Sequence, residues 1–333
     1  MRRRDAIAAA AVLLSAGLAG PAVAQNFPER TISLAVGFGP GGSTDIAARL
    51  LADRMSAHLG ATGRMVVENR AGASGTIASE WLRRQNPDGH VLMLVEASSH
   101  AVAPAAVPGG TRYHPVDDFT QIAVLGTGPM VLVVNPGFPA QTAAEAIARL
   151  RAAPPDSLAY ASSGVGSMPH LSAELLRTRL SETARFTHSP YRSGGAMVEA
   201  IAKNEASWGI AVLASAAGLM RDGMVRGLAV LGAQRSGGFP DLPTLAESGL
   251  PGFEIGTWNI LVGPRGMPAP AVERLNRAAN AAIAEPALRQ RLLTAGVDAW
   301  TGPNSPDDAR GYITAQVASF RDIVARTGVR LDP

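Results

Sequence analysis

The 333 residues contain no cysteine. That absence excludes disulfide scaffolds, thiolate nucleophiles, thiolate-bound metals and a lipid-modified cysteine behind a leader peptide. Excess charge is missing too. The formal total is +3, and the first 24 residues, with three arginines and one aspartate, leave about +1 for the rest. A pI near 9.8 is therefore no footprint of a nucleic-acid partner, which needs a clustered basic face. After residue 24 there is no further apolar run long enough to span a bilayer, no heptad, no fixed-period repeat and no low-complexity tail, so the chain reads as compact and globular. His58, His90, His100, His114 and His188 show no metal-ligand spacing, and no metal or cofactor is implied.

What is present begins with a leader. Arg2, Arg3 and Arg4 precede an apolar run from Ala6 to Ala19 and a small-residue end at Ala22-Val23-Ala24, the pattern of a secretory signal peptide cleaved before Gln25. So short a stretch, closed by Gly20 and Pro21, suits a membrane anchor poorly. The arginines leave both the general and the twin-arginine export routes open. A soluble periplasmic protein is expected. About 309 residues remain, more than one core usually serves, and a 47% apolar content can fill two. The expected division is 25–126 with 241–333 as one domain and 127–240 as the other.

Short apolar or β-branched runs alternate with helix-length segments. Predicted strands are 31–36, 65–68, 91–95, 121–125, 130–134, 158–161, 186–189, 208–213 and 227–231. Between them, 45–59, 77–85, 143–151, 169–179 and 195–203 read as helices. The alternation predicts an α/β fold with mostly parallel sheets flanked by helices. Three further helices are expected at 271–284, at 286–294 with Pro286 at its start, and at 306–327 with Gly328 as C-cap. Met130–Val134 and Trp258–Val262, each beside a proline turn, are read as strands that cross between the domains.

The sharpest local feature is the run Phe38-Gly39-Pro40-Gly41-Gly42-Ser43-Thr44-Asp45, directly after a strand and before an amphipathic helix. Such a turn offers free backbone N–H groups, reinforced by the helix dipole, to an anion. Ser43, Thr44 or Asp45 can cap the helix. Gly37, Gly39 and Gly42 also satisfy the dinucleotide spacing, but Pro40 sits inside it and Glu68, the candidate ribose partner, lies too far on. No lysine follows the glycines, which excludes a Walker-type phosphate loop. A second turn of the same kind holds Ser163, Gly166, Ser167 and His170, and two facing helix N-termini can grip both ends of one anion. By spacing alone, both are equally well read as ordinary strand-to-helix turns. Ser167 and His170 are close, yet no nucleophile elbow or partner acid accompanies them. The pairs Asp117-Asp118 and Asp307-Asp308 suit solvated loop or helix-start positions. Trp258 is read either as a cleft wall or as core.

Taken in order, several segments resemble the substrate-binding proteins of tripartite tricarboxylate transporters: residues 38–55, 66–80, 86–94, 131–136, 160–176, 190–194, 239–254 and 263–276. The resemblance covers essentially the whole chain after the leader. It implies a periplasmic binding-protein (flytrap) fold of two α/β domains joined by crossing strands, closing on a small organic acid that is passed to a membrane permease. It places ligand carboxylates, partly through ordered water, on Phe38 to Asp45 and on Ser163 to His170, with Tyr191 in the Pro-Tyr-Arg-Ser-Gly block and Trp258 completing the candidate set. It implies a monomer with no enzymatic activity.

The chain departs from that pattern. The usual proline before Pro-Gly-Gly is Gly39, and the glycine after Pro-Tyr-Lys/Arg is Ser193. A Gly-Gly-Gln-Val-Asp block becomes Lys203-Asn204-Glu205-Ala206-Ser207, Trp208 follows, and an Asp-Asn pair is Ala211-Val212. Loss of an aspartate and added bulk point to a changed cleft. An exported hydrolase using the loops as an oxyanion site, and a sensor that reports to a signalling receptor, are the rival readings.

Overall fold

A computed structural model describes residues 27–331. The leader and its cleavage point lie outside them. Eight of ten described strands form one path: β2 (Met65–Asn69), β1 (Ile32–Val36), β3 (Val91–Glu96), β9 (Gly256–Pro264), β4 (Phe119–Val134), β7 (Trp208–Val212), β5 (Ala159–Ser162) and β6 (Thr187–Pro190); β8 (Arg226–Val230) and β10 (Asp298–Ala299) pair with β4 off it. The expected parallel pairings hold toward both ends, β1 with β2 and β3, β5 with β6 and β7. Around β4 the pairing is antiparallel.

The 16-residue β4 unites the two strands expected at 121–125 and 130–134. At about 3.3 Å per residue it runs roughly 50 Å. Its first part pairs with β9 from Phe119 to Pro129, and its last five residues pair with β7. Pro129 sits where the strand changes partner, the place where a missing N–H costs the ladder least. Gly126 is required by close approach, since a Cβ there would lie 2.3 Å from the Asp298 carbonyl oxygen on β10. Met130–Val134 thus passes from one sheet region to the other, as expected. Trp258–Val262 does not. It lies within β9, between β3 and β4, and the chain returns instead where the Ile255 N–H donates to the Leu231 carbonyl at 2.9 Å.

Helices cover the faces. In α1 (Ser43–Leu59), Ala47, Ala48, Leu51, Ala52, Met55 and Leu59 recur at three- and four-residue spacing and are buried with Leu275, Ala278, Ala279 and Ala282 of the helix Ala269–Ala284. The last helix, Pro306–Thr327, has the predicted boundaries: Ser305 and Asp308 form a reciprocal capping box, and Gly328 ends it at φ +65°. Pro286 likewise opens its helix. Two helical stretches were missed, the short one over Ser98–Val102 and Ala103–Ala106 after β3 and a longer one after β7. Leu213–Arg221 follows β7 at once, and the apolar run 208–213 hid its start. No described helix is long and apolar enough to cross a membrane.

β4 is held at its bulge by a side chain. Where its register with β9 shifts, Asn304 accepts from the Val124 N–H at 2.7 Å and donates to the Val124 carbonyl at 2.9 Å, replacing a strand neighbour. Asn304→Ala leaves both groups unmet. It is expected to cost about 2 kcal/mol, a fall in melting temperature of about 4 °C by calorimetry.

Candidate functional site

Several strand ends converge on one cavity. After β1, the turn leads into α1. After β5 a turn leads into the helix Met168–Leu180, after β6 into Gly194–Ala202, and after β7 into Leu213–Arg221. Ligand sites of α/β sheets form at the carboxyl ends of strands, where helix starts expose unpaired N–H groups. Here Phe38, Gly42, Ser43 and Thr44 form one side of a cavity of about 20 Å³. Ser163, Pro169, Gly194, Val212 and Ser215 form the other, and Glu96 and Ser98 at the end of β3 complete the lining.

The loops meet across this space. The Ser43 N–H donates to Ser215 Oγ at 2.9 Å, the Met168 N–H to Ser98 Oγ at 2.8 Å, and Ser74 Oγ to the Val165 carbonyl at 2.5 Å. Two of these donors belong to helix N-termini. Glycine permits the contact on the far side: a Cβ at Gly194 would lie 2.3 Å from Ser215 Oγ, and one at Gly195 would lie 2.9 Å from the Gly41 carbonyl oxygen.

Asp45 shapes the first turn from beneath. Its carboxylate accepts from the Gly41 N–H at 3.0 Å, from Arg49 Nε at 3.1 Å and from Asn69 Nδ2 at 2.9 Å, while Asn69 also holds the Phe38 carbonyl. Burial alone would raise its pKa, but the bonds from Arg49, Asn69 and Gly41 outweigh it and hold it below the ordinary value. Asp45 is therefore a buried support and not a cavity wall. Gly41 needs its φ of +77°, whereas Gly42 sits at an ordinary φ of −75°. Gly39 packs on Ser193, and Pro40 is exposed.

The second turn contributes less than expected. Ser163 lines the cavity, and Tyr191 lines an adjoining groove of about 400 Å³ with Phe38, Ser163 and Gly164. Gly166 faces Val107, whose Cγ2 would lie 2.8 Å from an added Cβ. Ser167 is fully buried and caps its helix by accepting from the His170 N–H. His170 points into the core, its ring stacked 3.9 Å from that of His188. Burial, with His188 beside it, pushes its pKa down to about 3, so it offers an anion no charge. Pro169 faces the cavity instead.

Trp258 is also placed elsewhere. Successive strand residues point to opposite faces. Thr257 reaches Glu96, and Trp258 is turned toward Tyr312, fully buried. It borders a larger cavity, about 530 Å³, with Arg235, Glu254 and Asp298. No helix start opens there, and Arg235 is already paired with Glu247 at 3.1 Å. The smaller cavity is the candidate site on chemistry rather than size. The altered segment from Lys203 divides likewise: Trp208 packs against Tyr160 and Phe186 in the core, Ser207 lies at the far end of β7, about 16 Å away along an extended strand, and only Val212 reaches the cavity. The rival dinucleotide spacing has a packing cause, because a Cβ at Gly37 would lie 2.6 Å from Gly75 Cα. Among the described residues no acidic and histidine cluster could hold a metal.

Sequence reasoning missed Glu96, Ser98, Gly194 and Ser215. The Ser193-Gly194-Gly195 turn repeats the strand-to-helix pattern of the other two and was legible by the same argument. Nothing local marked Glu96.

The family model for the tripartite tricarboxylate transporter family receptor matches residues 47–329. The chain belongs to this family. BugT of Bordetella pertussis is 31% identical over 319 residues, 96% of each chain. Among solved structures, the periplasmic binding protein BugD is 29% identical with a TM-score of 0.85, covering 92% of this chain and all of that one. MatC from Rhodopseudomonas palustris with bound malate is 31% identical with a TM-score of 0.83, covering 90% of this chain and all of that one. This receptor has the periplasmic binding-protein fold and is a solute-binding protein, not an enzyme.

The buried His170 gives a pH signature. An unfolded imidazole protonates near 6.5, while the folded one stays neutral to about 3, so stability is lost as pH falls from 6.5 toward 3. His170→Phe keeps a ring against His188. It is expected to flatten this part of the melting-temperature profile, and an unchanged profile contradicts the assignment.

Proposed function

We propose that this receptor captures one small carboxylate in the periplasm, between Ser43 and Thr44 on one side and Ser163 and Gly194 on the other, and delivers it to the integral-membrane permease of a tripartite tricarboxylate-type transporter. The observation that carries this reading is the convergence of helix N-termini from both sheet regions on one cavity that holds no arginine or lysine. Backbone N–H groups and serine hydroxyls suit a carboxylate, with ordered water completing the contacts. The malate bound to MatC supports the class of ligand.

Binding is proposed to couple to closure. The bonds Ser43–Ser215 and Met168–Ser98 join loops of the first and second sheet regions, and a ligand can enter only when they part. The units that move are proposed as 25–126 with 241–333 against 127–240, with Phe38, Gly42 and Ser43 on the first and Ser163 and Tyr191 on the second. The described chain is taken as a monomer that needs no cofactor.

A thermal-shift screen of mono-, di- and tricarboxylates and amino acids is expected to give a rise of about 5 °C at a hundredfold excess over Kd for at least one acid. A flat response to every acid refutes the reading. Gly195→Ala is tolerated at its helix start only when the two loops part. Its Cβ meets the Gly41 carbonyl, so affinity for the best acid, measured by calorimetry, is expected to fall about tenfold.

A further inference from the structure

The lining of the cavity holds one ionisable group, Glu96, whose side chain is 4% exposed. One carboxyl oxygen accepts from the Ser98 N–H and the other from Thr257 Oγ1, both at 3.0 Å. A carboxylate offers about four acceptor sites, so two donors leave it half-satisfied. No arginine, lysine or histidine forms an ion pair with it among the described residues, whereas Asp45, the buried carboxylate beneath the first turn, has Arg49 at 2.9 Å. A buried carboxylate of this kind is costly unless a cation meets it. Burial pushes its pKa up to about 7 despite the two donors.

The position is awkward for a purely anionic ligand. The helix starts at Ser43, Thr44 and Gly194 attract a carboxylate into the space that Glu96 also faces, and two carboxylates brought together oppose each other's ionisation. An ammonium group on the ligand resolves both problems: it supplies the missing cation and its N–H groups fill the vacant acceptor sites.

We propose that Glu96 makes this receptor selective for small zwitterionic amino acids, the ligand's carboxylate resting on the helix starts and its ammonium on the Glu96 carboxylate. This rests on the carboxylate-binding reading and narrows it. Ser98 ties the group to closure, since its N–H holds Glu96 while its hydroxyl receives the Met168 N–H from the opposing helix.

The test uses matched pairs that differ only in the α-ammonium group: L-alanine and propionate, L-aspartate and succinate, L-glutamate and glutarate, each titrated by calorimetry at neutral pH. For at least one pair the wild type is expected to bind the amino acid ten times more tightly or better. E96Q, melting at or above the wild-type temperature, is expected to lose at least tenfold in affinity for that amino acid and none for its partner. The wild-type comparison decides by itself if E96Q does not fold. Des-amino acids that bind as well as or better than their amino counterparts overturn the role of Glu96 and leave the carboxylate reading intact, as does a preference that survives in E96Q. Absence of binding by every acid overturns both.

Discussion

The site depends on backbone N–H groups that helices cannot satisfy from within. Each α-helix begins with donors that have no carbonyl one turn back. In this receptor the turns after β1, β5 and β6 aim such starts at a common space, and serine hydroxyls across it take two of them: Ser215 for Ser43 and Ser98 for Met168. The contacts proposed to part on opening thus use the same donors that a ligand oxygen would claim. A charged clamp is unnecessary, because oriented dipoles and hydroxyls stabilise an anion without a fixed countercharge.

Glycines and buried polar groups make that convergence sterically feasible. Gly194 and Gly195 let a helix start touch the first turn, and Asp45 holds Gly41 and Asn69 so that the turn keeps its shape. The long strand β4 carries the geometry between the sheet regions. Its proline, its bulge and the Asn304 side chain each occupy a place where the ladder changes partner or register.

Much of this was legible in the chain. Periodicity marked most of the longer helices, the C-terminal one to its Gly328 cap, and the glycine run marked the first turn. The ordered resemblance pointed to the family that the match over residues 47–329 establishes. In the second turn Ser163 lines the cavity, while Gly166 packs on Val107, Ser167 caps its helix and His170 stacks on His188. The reason is local. A cap and a ligand contact use the same residue types at the same helix start, and only the direction in which the turn faces separates them.

By itself, the amino-acid order determined where most of the longer helices begin and end, because caps, prolines and apolar spacing act within a few residues. It determined as well that strand-to-helix turns rich in glycine and serine would present donors. Tertiary structure decided which residues share the cavity. Strand alternation turned Trp258 toward Tyr312 and Thr257 toward Glu96, β7 kept Trp208 in the core and brought Val212 to the site, and a helix unforeseen at Leu213 supplied Ser215. Those outcomes rest on pairing between segments far apart in the chain, such as Glu96 with Asn259 and Val134 with Trp208, and no local pattern encodes the face that such a pairing turns inward.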